Sequence, residues 1–192
     1  MNAVPEPARR RLLTVADYHR MGESGILAPD ERVELIDGEI FVMPPPIGPT
    51  HSGIVDHLTR LFVVALGERA IVRVQSLVRL SDLSEPEPDL ALLKPRADFY
   101  KRRAPEPADV LLLIEVSDST LAHDRRTKVP LYARHAIPEV WIADVEGARL
   151  IVYREPGADG YARERAERPP ETLEPAMLPG TAIDLAGLFV AE

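Results

Sequence analysis

Val110-Leu111-Leu112-Leu113-Ile114-Glu115-Val116 is an apolar run broken by a single carboxylate near its end. A short continuous run of this kind reads as a central β-strand covered on both faces. The chain must therefore build a sheet with packed layers on either side of it. The same run constrains chemistry. An ionised Glu115 inside an apolar strand loses several kcal/mol of hydration, about what a buried unpaired charge costs, unless it is paired or coordinated.

The rest of the chain supplies elements for such a sheet. Thr14 can cap a helix reaching about Glu23, with Gly22 and Gly25 at its end. Arg32 to Met43 alternates around Asp37-Gly38, a hairpin signal. A two-residue turn there pairs Leu35 with Ile40 and Val33 with Val42, and sets Glu34 across from Phe41 on the other face. Prolines 44 to 46 stop the second strand. Ile54, Leu58, Leu61, Phe62, Ala65 and Leu66 form one stripe of a helix over 50–68, with His51 in its first turn. A strand is expected over Ile71 to Leu80. The stiff acidic segment Ser84-Glu85-Pro86-Glu87-Pro88 then leads into a short buried strand, Asp89 to Leu93. Residues 96–108 read as a loop. A helix is expected from Arg125 to His135, with Pro130 tolerable only in a first turn. Glu139 to Asp144 and Arg149 to Tyr153 read as a second hairpin. One more strand and a closing helix near 184–189 complete the expectation. The fold class is α/β: a mixed central sheet flanked by helices, with an additional N-terminal hairpin.

The chain has 192 residues, which fits a flexible tail over 1–11 and one domain over 12–192. Cysteine is absent, which excludes disulfides, cysteine nucleophiles and thiolate metal sites and fits a cytoplasmic location. No run of about 18 apolar residues exists to span a membrane, and Met1 to Arg11 lacks the apolar stretch of a signal peptide. The formal charge of −8 works against sequence-independent binding to nucleic acid, which depends on Lys and Arg.

Asp89 begins one apolar strand and Glu115 nearly ends another. Neighbouring strands lie about 4.8 Å apart, so these two carboxylates converge if their strands are adjacent and in register. Two carboxylates, the Val116 carbonyl and waters suit a hard cation such as Mg²⁺. Against this stands the plainer possibility that each acid faces solvent or pairs with an arginine. His51 could be a base, a DNA contact or a buried, hydrogen-bonded histidine. Lys101-Arg102-Arg103 reads as a solvated surface, and Trp141 as core.

Glu34 in Val33-Glu34-Leu35-Ile36-Asp37-Gly38-Glu39, His51, Pro86-Glu87-Pro88-Asp89-Leu90-Ala91, Ile114-Glu115-Val116-Ser117, Lys128 with Leu131-Tyr132-Ala133, and Ile137-Pro138-Glu139-Val140-Trp141 occur in this order. As an ordered set over roughly residues 12–190, they resemble the Uma-two family of restriction-endonuclease-like proteins, a branch of the PD-(D/E)XK nuclease superfamily. The resemblance implies that Asp89 and Glu115 are metal ligands. The usual lysine lies two residues after the glutamate, where this chain has Ser117. Lys128 on the following helix would then bring its ammonium to the same place, and Glu34 would add a further acid. The implied activity is Mg²⁺-dependent DNA cleavage, with Mn²⁺ able to substitute; a homodimer is expected because cutting both strands calls for a pair of sites and the hairpins offer exposed edges. A catalytically weak binding or assembly module, and a hydrolase acting on a small phosphate-bearing molecule, stand behind it in that order.

Overall fold

A computed structural model describes residues 9–44, 48–167 and 172–190. Prolines 45 and 46, and residues 1–8 of the expected tail, lie outside them. Helix α1 (Val15–Glu23) starts at Thr14, whose hydroxyl accepts from the Asp17 N–H while the Asp17 carboxylate accepts from the Thr14 N–H. This reciprocal capping satisfies two N-terminal donors. Strands β1 (Val33–Ile36) and β2 (Glu39–Val42) form the expected hairpin in the expected register, Glu34 opposite Phe41 and Leu35 opposite Ile40. Asp37 and Gly38 both take positive φ at its turn, as a two-residue hairpin loop requires.

Helix α2 (Gly48–Leu66) buries Ile54, Val55, Leu58, Phe62 and Leu66. The main sheet has six strands in the order β3-β4-β5-β6-β7-β8: β3 (Ile71–Val74), β4 (Leu90–Leu93), β5 (Val110–Ser117), β6 (Glu139–Asp144), β7 (Arg149–Gly157) and β8 (Gly160–Glu167). Among the described residues only β5 and β6 pair in parallel. The chain between them is a crossover of α3 (Leu121–His123), a π-helical turn over Asp124–Lys128, and α4 (Val129–Arg134). Two short strands, β9 (Thr172–Leu173) and β10 (Ile183–Asp184), pair with each other. The sheet is thus mixed and helix-flanked.

Every residue of β5 is buried, so the run is the covered central strand its composition implies. Leu112, Ile114 and Val116 pack toward α2, while Leu113 packs with Val129, Leu131 and Tyr132 of α4. By strand alternation, Glu115 shares the α4 face with Leu113.

Three expectations need correction. The strand over 71–80 stops at Val74, because Gln75 takes a left-handed conformation (φ 41°) and its N–H donates to the Asp89 carbonyl. The helix over 125–135 starts earlier, at Leu121, and contains a π turn. Pro130 has no N–H to donate and crowds the preceding turn. The wider turn, in which the Val129 N–H reaches back to the Asp124 carbonyl, accommodates it. No helix forms near 184–189: Ile183–Asp184 is strand and turns follow. Among the described residues no helix is long and apolar enough to cross a membrane.

Candidate active site

β4 and β5 are antiparallel with Leu90 opposite Ile114, so the next pair outward sets Asp89 opposite Glu115. The Val116 N–H donates to Asp89 Oδ2 at 2.8 Å, tying the two strand ends together. Asp89 Oδ1 lies 3.4 Å from His51 Nε2, which α2 delivers from its first turn, and accepts from Gln75 Nε2 at 3.3 Å. Burial alone would raise the Asp89 carboxyl, but the His51 and Val116 hydrogen bonds outweigh it and hold the group below its ordinary value. The same contact raises His51 against the opposing effect of burial.

Glu115 is 2% exposed. Lys128 Nζ donates to its Oε2 at 3.2 Å and to Glu34 Oε1 at 3.0 Å. The Tyr132 hydroxyl donates to Glu115 Oε1 at 2.6 Å. Burial pushes the Glu115 carboxyl well up, and the Lys128 ammonium counteracts it. Burial would lower Lys128 itself, but Glu115 and Glu34 together raise it, so the ammonium stays charged. Glu34 reaches this point because the first hairpin is anchored to the loop before β4. Asp37 N–H donates to Ser84 Oγ, Gly38 N–H to the Leu83 carbonyl, and Glu85 N–H to the Leu35 carbonyl. The second Glu34 oxygen, Oε2, is buried without a hydrogen-bond partner.

The structure thus brings Glu34, His51, Asp89, Glu115, Val116 and Lys128 to one cleft. Ser117, at the position of the superfamily's usual lysine, donates instead to Asp124 Oδ2 at 2.6 Å, and Thr120 donates to the same oxygen at 2.7 Å. These bonds fasten the π turn to the end of β5 and so aim Lys128. The sequence motifs name Tyr132 and Glu87 only as neighbours of Lys128 and Asp89, with no role, and do not name Asp124. A helical spacing of four residues from Lys128 could have flagged Tyr132. Burial raises Glu87, and repulsion from Glu34 adds to it. The remaining basic candidates lie elsewhere: Lys101, Arg102 and Arg103 are exposed, and Arg103 pairs with Asp109. Arg125 bonds to Tyr153 and Glu164. Trp141 is fully buried.

Glu34, Glu87, Asp89, Glu115, Asp118 and Asp124 line the cleft against Arg32, Lys128 and His51. The interior is about 40 Å³, room for an ion with a few waters and too small to enclose a nucleotide, since ligand pockets run to roughly 300 Å³ or more. Among the described residues no three acid or imidazole groups are arranged to hold a metal ion; both oxygens of Glu115 and of Asp89 are engaged by protein donors. In kind the donor set fits a hard divalent cation. It consists of carboxylate oxygens in excess of positive charge, one of them buried and unpartnered.

A solved structure supports the architecture. A protein from Anabaena variabilis ATCC 29413, described as "a putative nuclease belonging to DUF820", superposes with a TM-score of 0.67 at 16% identity, covering 92% of this chain and 97% of that one. At that identity the likeness establishes the fold. No curated protein matches the chain. The sequence model of the Uma2 family, described as "Putative restriction endonuclease", matches residues 15–186. With the match running through the hairpin, both carboxylate strands and the Lys128 segment, the chain belongs to the Uma2 family.

Proposed function

We propose that this chain is a metal-dependent DNA endonuclease that hydrolyses phosphodiester bonds. One observation carries the reading: the Lys128 ammonium lies between Glu34 and Glu115, one strand from Asp89, although the residue two positions after Glu115 is a serine. A nuclease site of this type needs two carboxylates and a cation, and the helical segment after β5 supplies the cation that β5 itself lacks. The family match and the nuclease-like fold support the same reading.

Asp89, Glu115 and the Val116 carbonyl would hold Mg²⁺, or Mn²⁺ in its place, whose contribution when bound is to polarise the scissile phosphate and acidify the attacking water. Lys128 places a fixed positive charge beside the reacting phosphate, where negative charge develops. The free oxygen of Glu34 can accept a hydrogen bond from the attacking water and orient it. His51 orients Asp89 through their contact and borders the cleft. A 40 Å³ interior cannot enclose the substrate, so DNA lies across the mouth. This favours a polymer over a small phosphate-bearing molecule. Cutting both strands calls for two such sites, hence a homodimer, and the absence of cysteine suits the cytoplasm.

A second reading, a binding or assembly module with little activity, draws on the net charge of −8 and on the engagement of both Glu115 oxygens by protein donors. Plasmid cleavage by the purified chain separates the two. Nicking or cutting in Mg²⁺ or Mn²⁺ that EDTA abolishes, and that Asp89→Ala, Glu115→Ala and Lys128→Ala all lose, sustains the endonuclease. No cutting across metals and substrates, or equal cutting by the variants, leaves the binding module.

A further inference from the structure

Two donors from one helical segment grip Glu115. Lys128 and Tyr132 are four residues apart and so face the same way. The ammonium takes Oε2 at 3.2 Å and the hydroxyl takes Oε1 at 2.6 Å. Tyr132 is fully buried, its ring in the core with Leu113, Val140 and Ile142. A phenol in such surroundings must find an acceptor, and it finds the one carboxylate in the middle of the sheet. With Oε1 bound to a ring that packing holds still, the carboxylate cannot rotate about its last bond without breaking the contact. Oε2 therefore stays on the side of Lys128 and the cleft.

We propose that Tyr132 is a positioning residue of the metal site: its hydroxyl holds one oxygen of Glu115, so that the other is presented to a divalent cation. The inference rests on the metal-dependent reading above. It makes Glu115 a one-oxygen ligand and assigns the second oxygen a purely orienting contact. Hydrogen bonds that orient metal-binding carboxylates are commonly worth about ten- to a hundredfold in metal affinity.

The test is a double-mutant cycle on Mn²⁺ binding by the full chain, read by titration calorimetry. Tyr132→Phe keeps the ring and removes the hydroxyl. Mn²⁺ binding is expected to weaken about tenfold or more in Tyr132→Phe. In the Glu115→Gln background, removing the hydroxyl makes no further difference, because Tyr132 acts through Glu115. Thermal melts in EDTA report whether each variant is folded. Should Tyr132→Phe fail to fold, 3-fluorotyrosine at position 132 replaces it, since this keeps the ring and the bond and changes only the donor strength. A changed Mn²⁺ affinity in the parent and none in Glu115→Gln then sustains the role. Equal effects in both backgrounds, or no effect in the parent, overturn the positioning role and leave the metal site standing. An unaltered chain that binds no Mn²⁺ overturns both.

Discussion

Lys128→Met is the most informative single perturbation, because the Lys128 side chain is 3% exposed and its ammonium neutralises two carboxylates at once. At 3.0 and 3.2 Å, and with an effective dielectric of about 20, each attraction is roughly 5 kcal/mol. Most of that offsets the several kcal/mol needed to dehydrate each group. The favourable remainder is lost on substitution, and Glu34 and Glu115 are left buried with no cation between them. Breaking a buried pair in this way costs about 3–5 kcal/mol. For a chain of this length 1 kcal/mol moves Tm by roughly 2–4 °C, so in EDTA Lys128→Met should melt about 6–20 °C below the parent. A divalent cation that binds the same carboxylates would replace the missing charge. Millimolar Mg²⁺ or Mn²⁺ should therefore raise the variant's Tm by more than it raises the parent's, while cleavage stays absent. The assay is a pair of melts per protein, with and without metal. A Tm within about 2 °C of the parent in EDTA, or a metal response no larger than the parent's, would refute the charge argument.

Arg154→Met provides the matching control. It removes the cation from Glu139, a fully buried carboxylate held also by Trp141 Nε1 and the Ala176 N–H. Because Arg154 is about one-third exposed, the loss should be nearer 2 kcal/mol, and urea unfolding in Mg²⁺ should recover none of it. Gly38→Ala should destabilise by about 1–2 kcal/mol in the same assay, since φ is +78° and the new Cβ would stand 2.5 Å from that of Leu12. Asp17 is held down to about 2 from 3.8 by the Thr14 hydroxyl, then by its N–H and by Arg20. A lowered folded pKa stabilises above the unfolded value and is lost as protons bind. Melts of the parent and Asp17→Asn should therefore differ most above pH 4 and converge toward pH 2.

Much of the architecture was legible because local chemistry and tertiary demand agree. Asp37-Gly38 fixes a two-residue turn, and the turn fixes the β1–β2 register. The Val110–Val116 run can be satisfied only between two layers. The errors fall where long-range contacts decide. Gln75 leaves β-conformation to bond the Asp89 carbonyl, 14 residues away, and nothing in its neighbours announces that. The π turn before Pro130 depends on Ser117 and Thr120 holding Asp124. For the site, burial of an acid in an apolar strand is a weak signal on its own. Glu139 and Asp144 in β6 are as buried as Glu115, yet Arg154 and Arg149 neutralise them. What separates Glu115 is that its cation also serves Glu34 and that the cluster opens on a cleft. That is a property of three elements meeting, and only the ordered family resemblance hinted at it. Tyr132 stands in the Lys128 motif without a role, because an aromatic on an apolar helix face normally signals packing alone.

The most direct test of the central claim is anomalous diffraction from crystals of the chain soaked in Mn²⁺. The account predicts a Mn²⁺ peak between Asp89 and Glu115, within ligand distance of Glu115 Oε2, with the Tyr132 contact to Oε1 intact. A peak elsewhere, or none at millimolar Mn²⁺, would contradict it.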